Sequence, residues 1–312
     1  MNKYSVLILL LSFSVLLSCT RKKNESNVLN LGVMSSMDYL PLAVAQREGY
    51  FDKAGLNLKL HKFYSANERD AAFQNSHVDG VVIDFTGAVL QSAGGIDLKL
   101  VSKCDAPFYI VASNQSRVDS LPQLKGKKVA VSQNTVIDYC VDMALKSAGL
   151  EQSDIEKVEI NKIPIRFEML NNNKIDATGL PNPFALMATN NGSKILTSND
   201  ELGFAITGIM FSQKAIDEKK EMITKMYEAY DLGVDYLKNH TVDDIKDILI
   251  TEFGFTEDIV SKVQLPEYTH AEAPTEKDIE SVVNWLISRD LIDASFDKTI
   301  LLNKQPELYL EF

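Results

Sequence analysis

Four short segments carry the residue types that could do chemistry. Ser35, Ser36, Asp38 and Tyr39 follow a strand-like run at residues 28–33 and lead into a helix-like run. Gln133, Asn134 and Thr135 occupy the same kind of place between a strand-like run at 127–131 and a second helix. A helix N-terminus offers unpaired backbone N–H groups and the positive end of the helix dipole, so hydroxyl and amide side chains beside it make an oxyanion cradle. The same residue types also cap helices, and the two roles can coexist. The other two segments are Asp84-Phe85-Thr86 and residues 179–184, with Asn182 and Phe184. None of the four contains Arg or Lys, whereas Asp38 and Asp84 are carboxylates, with Asp138 a little further along. A buried carboxylate needs a partner, and an amino-bearing ligand would be one. Tyr39, Phe85 and Phe184 could stack on a planar ring, helped by Phe108 and Tyr109. This set favours a neutral or weakly basic heterocycle, with a compact oxyanion as runner-up. For the acids, the alternative is an exposed loop; for the rings, it is core packing.

The elements that would position these segments repeat. Residues 28–33, 57–60 and 80–83 read as strands, with helices at 39–48, 68–74 and 88–93 between and after them. Strands at 127–131 and 157–160 and a third opening at Asp176 follow, with helices ending at Ala148 and Asn172. This βαβαβα order implies a mostly parallel sheet covered on both faces. Corresponding landmarks keep a nearly constant offset: Val33 to Val131 is 98 positions, Gly55 to Gly149 is 94 and Asp79 to Asp176 is 97. The expectation is α/β architecture in two lobes, with loops at the carboxyl ends of the strands meeting across a cleft. Apolar extended runs at 108–112 and 204–211 serve as two crossover strands. Lobe 1 is then discontinuous, residues 28–111 plus 207–312, and lobe 2 is residues 112–206. From about residue 213 the pattern becomes a helical tail. Met222, Met226, Tyr230, Val234 and Leu237 there form one packing stripe.

The start of the chain reads differently. Lys3, an apolar run at 5–17 and the junction Leu16-Leu17-Ser18-Cys19 resemble a signal peptide (residues 1–18) ending in a bacterial lipobox, which makes Cys19 the lipidated residue. Residues 19–27 would be a polar tether. Together these imply anchoring to a bacterial membrane, facing the periplasm or the exterior. Net charge is −11, and no basic footprint for nucleic acid stands out. Cys104 and Cys140 either pair or are simply buried. The four histidines are scattered, and no metal-ligand spacing, cofactor motif or Ser/His/Asp set is evident, so no metal or cofactor is expected.

Several stretches together resemble a known family. Residues 39–51, including Gly49-Tyr50-Phe51, are followed by Ala54-Gly55-Leu56. Leu124-Lys125-Gly126-Lys127 opens the second repeat, and Ile175-Asp176-Ala177 precedes Leu180-Pro181-Asn182-Pro183. The order and spacing are similar to those of solute-binding proteins of ABC importers in the sulfonate, nitrate and thiamine-precursor group. The resemblance implies a type II periplasmic-binding-protein fold, hinge closure over one small ligand, docking to permease subunits, and a monomer without enzymatic activity. It also turns the heterocycle expectation towards a thiamine-type pyrimidine precursor, and the runner-up towards an alkanesulfonate or nitrate. Two same-fold enzyme classes, a pyrimidine synthase and a dehydratase, are the alternatives of another kind. The lipobox and the lack of a cysteine-rich stretch speak against them.

Overall fold

The computed structural model describes residues 27–303. The signal-peptide, lipidation and most of the tether expectations, Cys19 included, lie outside the described residues. Two five-stranded sheets form the frame, ordered β2-β1-β3-β10-β4 and β7-β6-β8-β5-β9. In the first, β1 (Leu29–Met34), β2 (Leu58–Phe63) and β3 (Gly80–Asp84) are parallel, and β10 (Thr207–Ser212) runs antiparallel between β3 and β4 (Leu98–Lys103). In the second, β6 (Lys128–Val131), β7 (Glu156–Glu159) and β8 (Ala177–Pro181) are parallel, and β5 (Phe108–Ala112) runs antiparallel between β8 and β9 (Lys194–Ser198). The two sheets therefore have the same plan.

The helices are α1 (Leu40–Arg47), α2 (Tyr50–Lys53), α3 (Ala66–Gln74), α4 (Phe85–Ala93), α5 (Val136–Ser147), α6 (Ile163–Asn171), α7 (Phe184–Asn190), α8 (Gln213–Asn239), α9 (Lys246–Thr251), α10 (Glu257–Val260) and α11 (Glu276–Ser288). The repeat reaches individual carboxylates. Asp79 accepts from the Asn30 amide at 2.8 Å and Asp176 from the Lys128 amide at 2.8 Å, each bracing the first strand of its sheet.

Strand pairing corrects the expected first lobe boundary at residue 111. Phe108 to Ala112 pair with β8 and β9, so this segment belongs to the second sheet, and the chain crosses at residues 104–107. The run is apolar because it is an inner strand of its sheet, with partners on both sides. The return crossing occupies residues 199–206, and the two crossings are held near each other: Cys104 N–H donates to the Thr207 carbonyl at 3.0 Å and Phe108 N–H to Asn199 Oδ1 at 2.8 Å.

The tail packs on the first sheet. Met226, Tyr230, Val234 and Leu237 of α8 are buried in one core with Leu29, Leu31 and the apolar face of α1; Met222 is only partly covered. α8 is broken at Lys219. Its Nζ reaches Asp79 and the Val28 carbonyl, each at 2.8 Å. The approach of α8 to α1 depends on Gly233, where an added Cβ would sit 2.2 Å from the Pro41 carbonyl oxygen. Backbone cannot yield as a flexible side chain can. Gly233→Ala is therefore expected to cost about 1–3 kcal/mol through overpacking, read as a lower urea midpoint with an unchanged m-value.

Candidate functional site

Between the lobes lies a small cavity of about 30 Å³, room for two or three waters. Its walls come from both lobes: Met34, Asp38, Arg69 and Asp84 from the first, and Ser132, Thr135, Asn161 and Arg166 from the second, with Phe108 and Thr207 beside the crossings. The lobes touch at the rim, where Ile163 N–H donates to the Tyr64 carbonyl at 3.1 Å and Lys162 pairs with Glu68 at 2.8 Å.

Each lobe supplies one arginine from the same place. Arg69 is the fourth residue of α3 and Arg166 the fourth of α6, and both are almost fully buried. They are 97 positions apart, the offset that relates Asp79 to Asp176. Side chains on a helix lean back towards its N-terminus, so a long side chain one turn in can reach the cleft edge.

Their environments differ. Arg69 donates from Nε to Asp70 and from Nη2 to Asp84, each at 2.8 Å. Burial alone would lower its pKa, but these carboxylates outweigh that and raise it. Arg166 has no ion pair among the described residues. Its Nη1 donates to the carbonyls of Ile160 at 2.9 Å and Asn161 at 3.2 Å, and its buried Nε has no partner. Burial pulls this guanidinium down to about 10, only slightly opposed by Glu159. A buried, charged donor without a counter-ion is costly unless a ligand supplies the charge.

The carboxylates are already served within the protein. Asp84 caps α4, accepting from Gly87 N–H at 2.9 Å, and also accepts from the Thr86 hydroxyl and Arg69. Burial pushes its pKa up, but Arg69, Thr86 and Gly87 together hold it below the usual range. Asp38 accepts from Ser36 Oγ at 2.6 Å and Thr207 Oγ1 at 3.0 Å but has no cation in contact. Burial raises it to about 6, with the two hydroxyls opposing and Asp105 adding.

The sign of the resulting pH effect follows from that upward shift. The folded protein favours neutral Asp38, so the contribution is complete below the unfolded pKa near 3.8 and is lost as pH rises through about 6. The difference corresponds to about 3 kcal/mol. Asp38→Asn, nearly isosteric, is expected to raise stability at pH 8 by about 1–3 kcal/mol and to remove this step from a plot of unfolding free energy against pH. An unchanged step would show that another group titrates there.

Of the expected ligand residues, Asp38, Asp84 and Thr135 line the cavity. Ser36 and Thr86 stand behind them as donors to the two carboxylates, and Ser35 is buried nearby in sequence without lining the space. Thr135 caps α5 and donates to the Ser132 carbonyl at 2.8 Å. Other expectations need correction. Gln133 is exposed, its backbone N–H donating to Glu159 at 3.0 Å, and Asn134 sits in the left-handed region at φ 61° with its backbone N–H on Asp138. Asn182 accepts from the Leu186 amide at 3.1 Å, bracing α7. The proposed stacking rings face apolar cores instead: Tyr39 packs against Phe253 at 4.7 Å, Phe85 is fully buried, and Phe184 lies 5.6 Å from Phe167. Arg69, Arg166, Asn161 and Thr207 were not foreseen. Cys104 and Cys140 are free, buried thiols, pushed up by burial. Among the described residues no cluster of His, Cys, Asp and Glu could hold a metal, and no helix is long and apolar enough to cross a membrane.

Two α/β lobes joined by paired crossings over one internal cleft define a protein of the periplasmic-binding-protein fold. Solved structures agree. An aliphatic sulphonate binding protein of Escherichia coli aligns with a TM-score of 0.72 at 14% identity, covering 89% of this chain and 92% of that one. A nitrate-binding protein of Synechocystis gives 0.73 at 15%, covering 90% and 87%. A desulfurization enzyme, DSZB, shares the fold at 0.63 and 12%, covering 85% and 93%. The chain belongs to the family described as NMT1/THI5 like, whose profile matches residues 36–243. Among sequence relatives, a Haemophilus influenzae protein named for thiamine biosynthesis is 31% identical over 126 residues, which span 40% of this chain and 40% of that protein. A Bacillus subtilis protein named as a binding protein, YtlA, is 20% identical over 90% of this chain and 86% of its own length.

Proposed function

We propose that this chain is the extracytoplasmic solute-binding component of an ABC importer, without enzymatic activity, and that its cleft takes a small ligand by an oxyanion group seated against Arg166. The observation that carries the ligand class is the buried Arg166, which has an unpartnered Nε and no ion pair among the described residues. The hydroxyls of Ser132 and Thr135, at the N-terminus of α5, stand on the same wall; they donate to Asn161 Oδ1 and the Ser132 carbonyl, each at 2.8 Å, and would turn to the anion on binding. A cavity of this small size suits a compact head group such as sulfonate, nitrate or phosphate. Delivery would follow the order bind, close, dock to a permease, release. Lipidation at Cys19 and a monomeric state belong to the same proposal.

The thiamine-precursor reading is second. It is supported by the family and by the name of the Haemophilus relative. Asp38 and Asp84 on the opposite wall would accept from an aminopyrimidine. Its support from side chains is weaker, since both carboxylates have donors within the protein, Tyr39 and Phe85 lie in cores, and Phe184 packs against one. Same-fold enzymes do exist, but no nucleophile–base pair is identified in the cleft.

A thermal-shift screen of the mature protein against methanesulfonate, taurine, nitrate, phosphate and 4-amino-5-hydroxymethyl-2-methylpyrimidine tests the reading. A ligand at about 100 times its Kd adds roughly 2.7 kcal/mol. A shift with an anion, and the same anion recovered unchanged, is the expected result. A shift with the pyrimidine alone would favour the second reading, and a chemically altered ligand would favour an enzyme.

A further inference from the structure

The first-turn carboxylate of α5, Asp138, is held from both lobes. It is completely buried but does not line the cleft. One of its oxygens accepts from Lys157 Nζ at 2.5 Å, within lobe 2. The other accepts from the Asn134 amide at 3.0 Å and lies 3.2 Å from Arg289 Nη2. Arg289 follows α11 in the C-terminal tail, which packs on α4, and Leu302 of the same tail bridges to Leu100 of the first sheet. The guanidinium therefore reaches from the first lobe into the second.

Its other nitrogen, Nη1, donates to Asp142 at 2.9 Å, and Trp285 Nε1 donates to the same Asp142 oxygen at 2.9 Å. Tyr139 donates to Ser281 at 2.8 Å beside them. Two carboxylates thus share two cations, Lys157 from their own lobe and Arg289 from the other. Lys157 Nζ bridges one oxygen of each acid at 2.5 Å, and the planar fork of Arg289 bridges the other two. Without Arg289, two buried carboxylates would share Lys157 alone.

We propose that Arg289 is a positioning residue for ligand capture: acting through Asp138 it fixes the loop at residues 132–135 and makes the geometry of that loop depend on docking of the C-terminal helix across the lobes. Asn134 is the point of action. Its left-handed φ of 61° is a conformation that Asn tolerates but few other side-chain-bearing residues adopt, and its backbone N–H donates to Asp138 there. Ser132 and Thr135, which flank it, line the cleft. The inference rests on the reading of this loop as a ligand loop, but its test needs no ligand.

Amide hydrogen exchange on the ligand-free full-length protein reads the coupling directly. In Arg289→Gln, exchange at residues 133–137 is expected to rise roughly tenfold, the scale of one lost charge-assisted hydrogen bond, while β6 and β8 keep their protection. Arg289→Lys should give an intermediate rise, and it remains informative if the Gln variant folds poorly. Unchanged exchange at residues 133–137 in both Arg289 variants would overturn the proposal. So would a uniform rise across the whole second lobe, which would mean that Arg289 serves stability alone.

Discussion

Replacing Arg166 by Met is expected to weaken binding of the anionic ligand by roughly thirtyfold to several thousandfold, the range for truncating one partner of a buried, hydrogen-bonded charge pair. The same change should move stability by less than about 2 kcal/mol. The two effects separate because Arg166 is unusual in the free protein. Its charge is buried and has no ion pair, so removing it relieves a desolvation cost. Against that gain, the carbonyls of Ile160 and Asn161 lose their donor at about 1 kcal/mol each. Titration calorimetry with the anion from the screen gives the first number and urea unfolding the second. A large loss of stability would mean that Arg166 is structural, holding the segment before α6 and not the ligand.

The opposite pattern is expected at the other arginine. Asp84→Ala should cost about 2–4 kcal/mol of stability, because it removes one of the two carboxylates on the buried Arg69 and the cap of α4. Asp70 remains on Arg69 but meets only its Nε. The pH dependence has a definite sign. Asp84 is held below the usual carboxylate range, so its contribution is present above the unfolded pKa and is lost as pH falls through the lower folded value. Asp38 acts in the reverse sense, since its penalty builds up as pH rises from the unfolded value of 3.8 to about 6 and is complete above that. Wild-type stability should therefore fall in strong acid through Asp84, and decline between about pH 4 and about pH 6 through Asp38, levelling off above that. Chemical unfolding at a series of pH values checks both, and an Asp84→Ala curve parallel to wild type in acid would contradict the assignment.

Much of the frame was legible because parallel, doubly covered strands leave dense apolar runs. Residues 80–83 and 128–131 are Val, Ile and Ala around few polar positions, and glycines mark several helix ends. β4 and β9 were missed for a physical reason. Each is an edge strand, pairing on one side only and with a partner that enters the sheet in the opposite direction. Leu98-Lys99-Leu100 and Lys194-Ile195-Leu196 are short runs bearing the lysines of an exposed edge. Assigning Phe108 to the first lobe failed similarly, since an inner strand reads the same whichever sheet it joins.

In the cleft, the search by loops found Asp38, Asp84 and Thr135 but passed over both arginines, which sit a full turn inside helices. The signal for them was present in the repeat itself. An offset of 97 relates Arg69 to Arg166 as it relates Asp79 to Asp176. What sequence could not supply is the difference between the two. Asp70 and Asp84 neutralise one arginine, while the other pairs with no carboxylate among the described residues. That contrast depends on which carboxylates the fold brings within reach. The rings at Tyr39, Phe85 and Phe184 were misread because a residue at the start of a helix can face either the cleft or the core, and large apolar rings gain more from the core.

The central claim is that Arg166 is the anchor for an oxyanion. A crystal structure of the mature protein grown with the anion that gives the largest thermal shift tests it most directly. The expected result places an anion oxygen within about 3 Å of the Arg166 guanidinium, with the Ser132 and Thr135 hydroxyls alongside. An anion bound elsewhere, with Arg166 Nε still unpartnered, would contradict it.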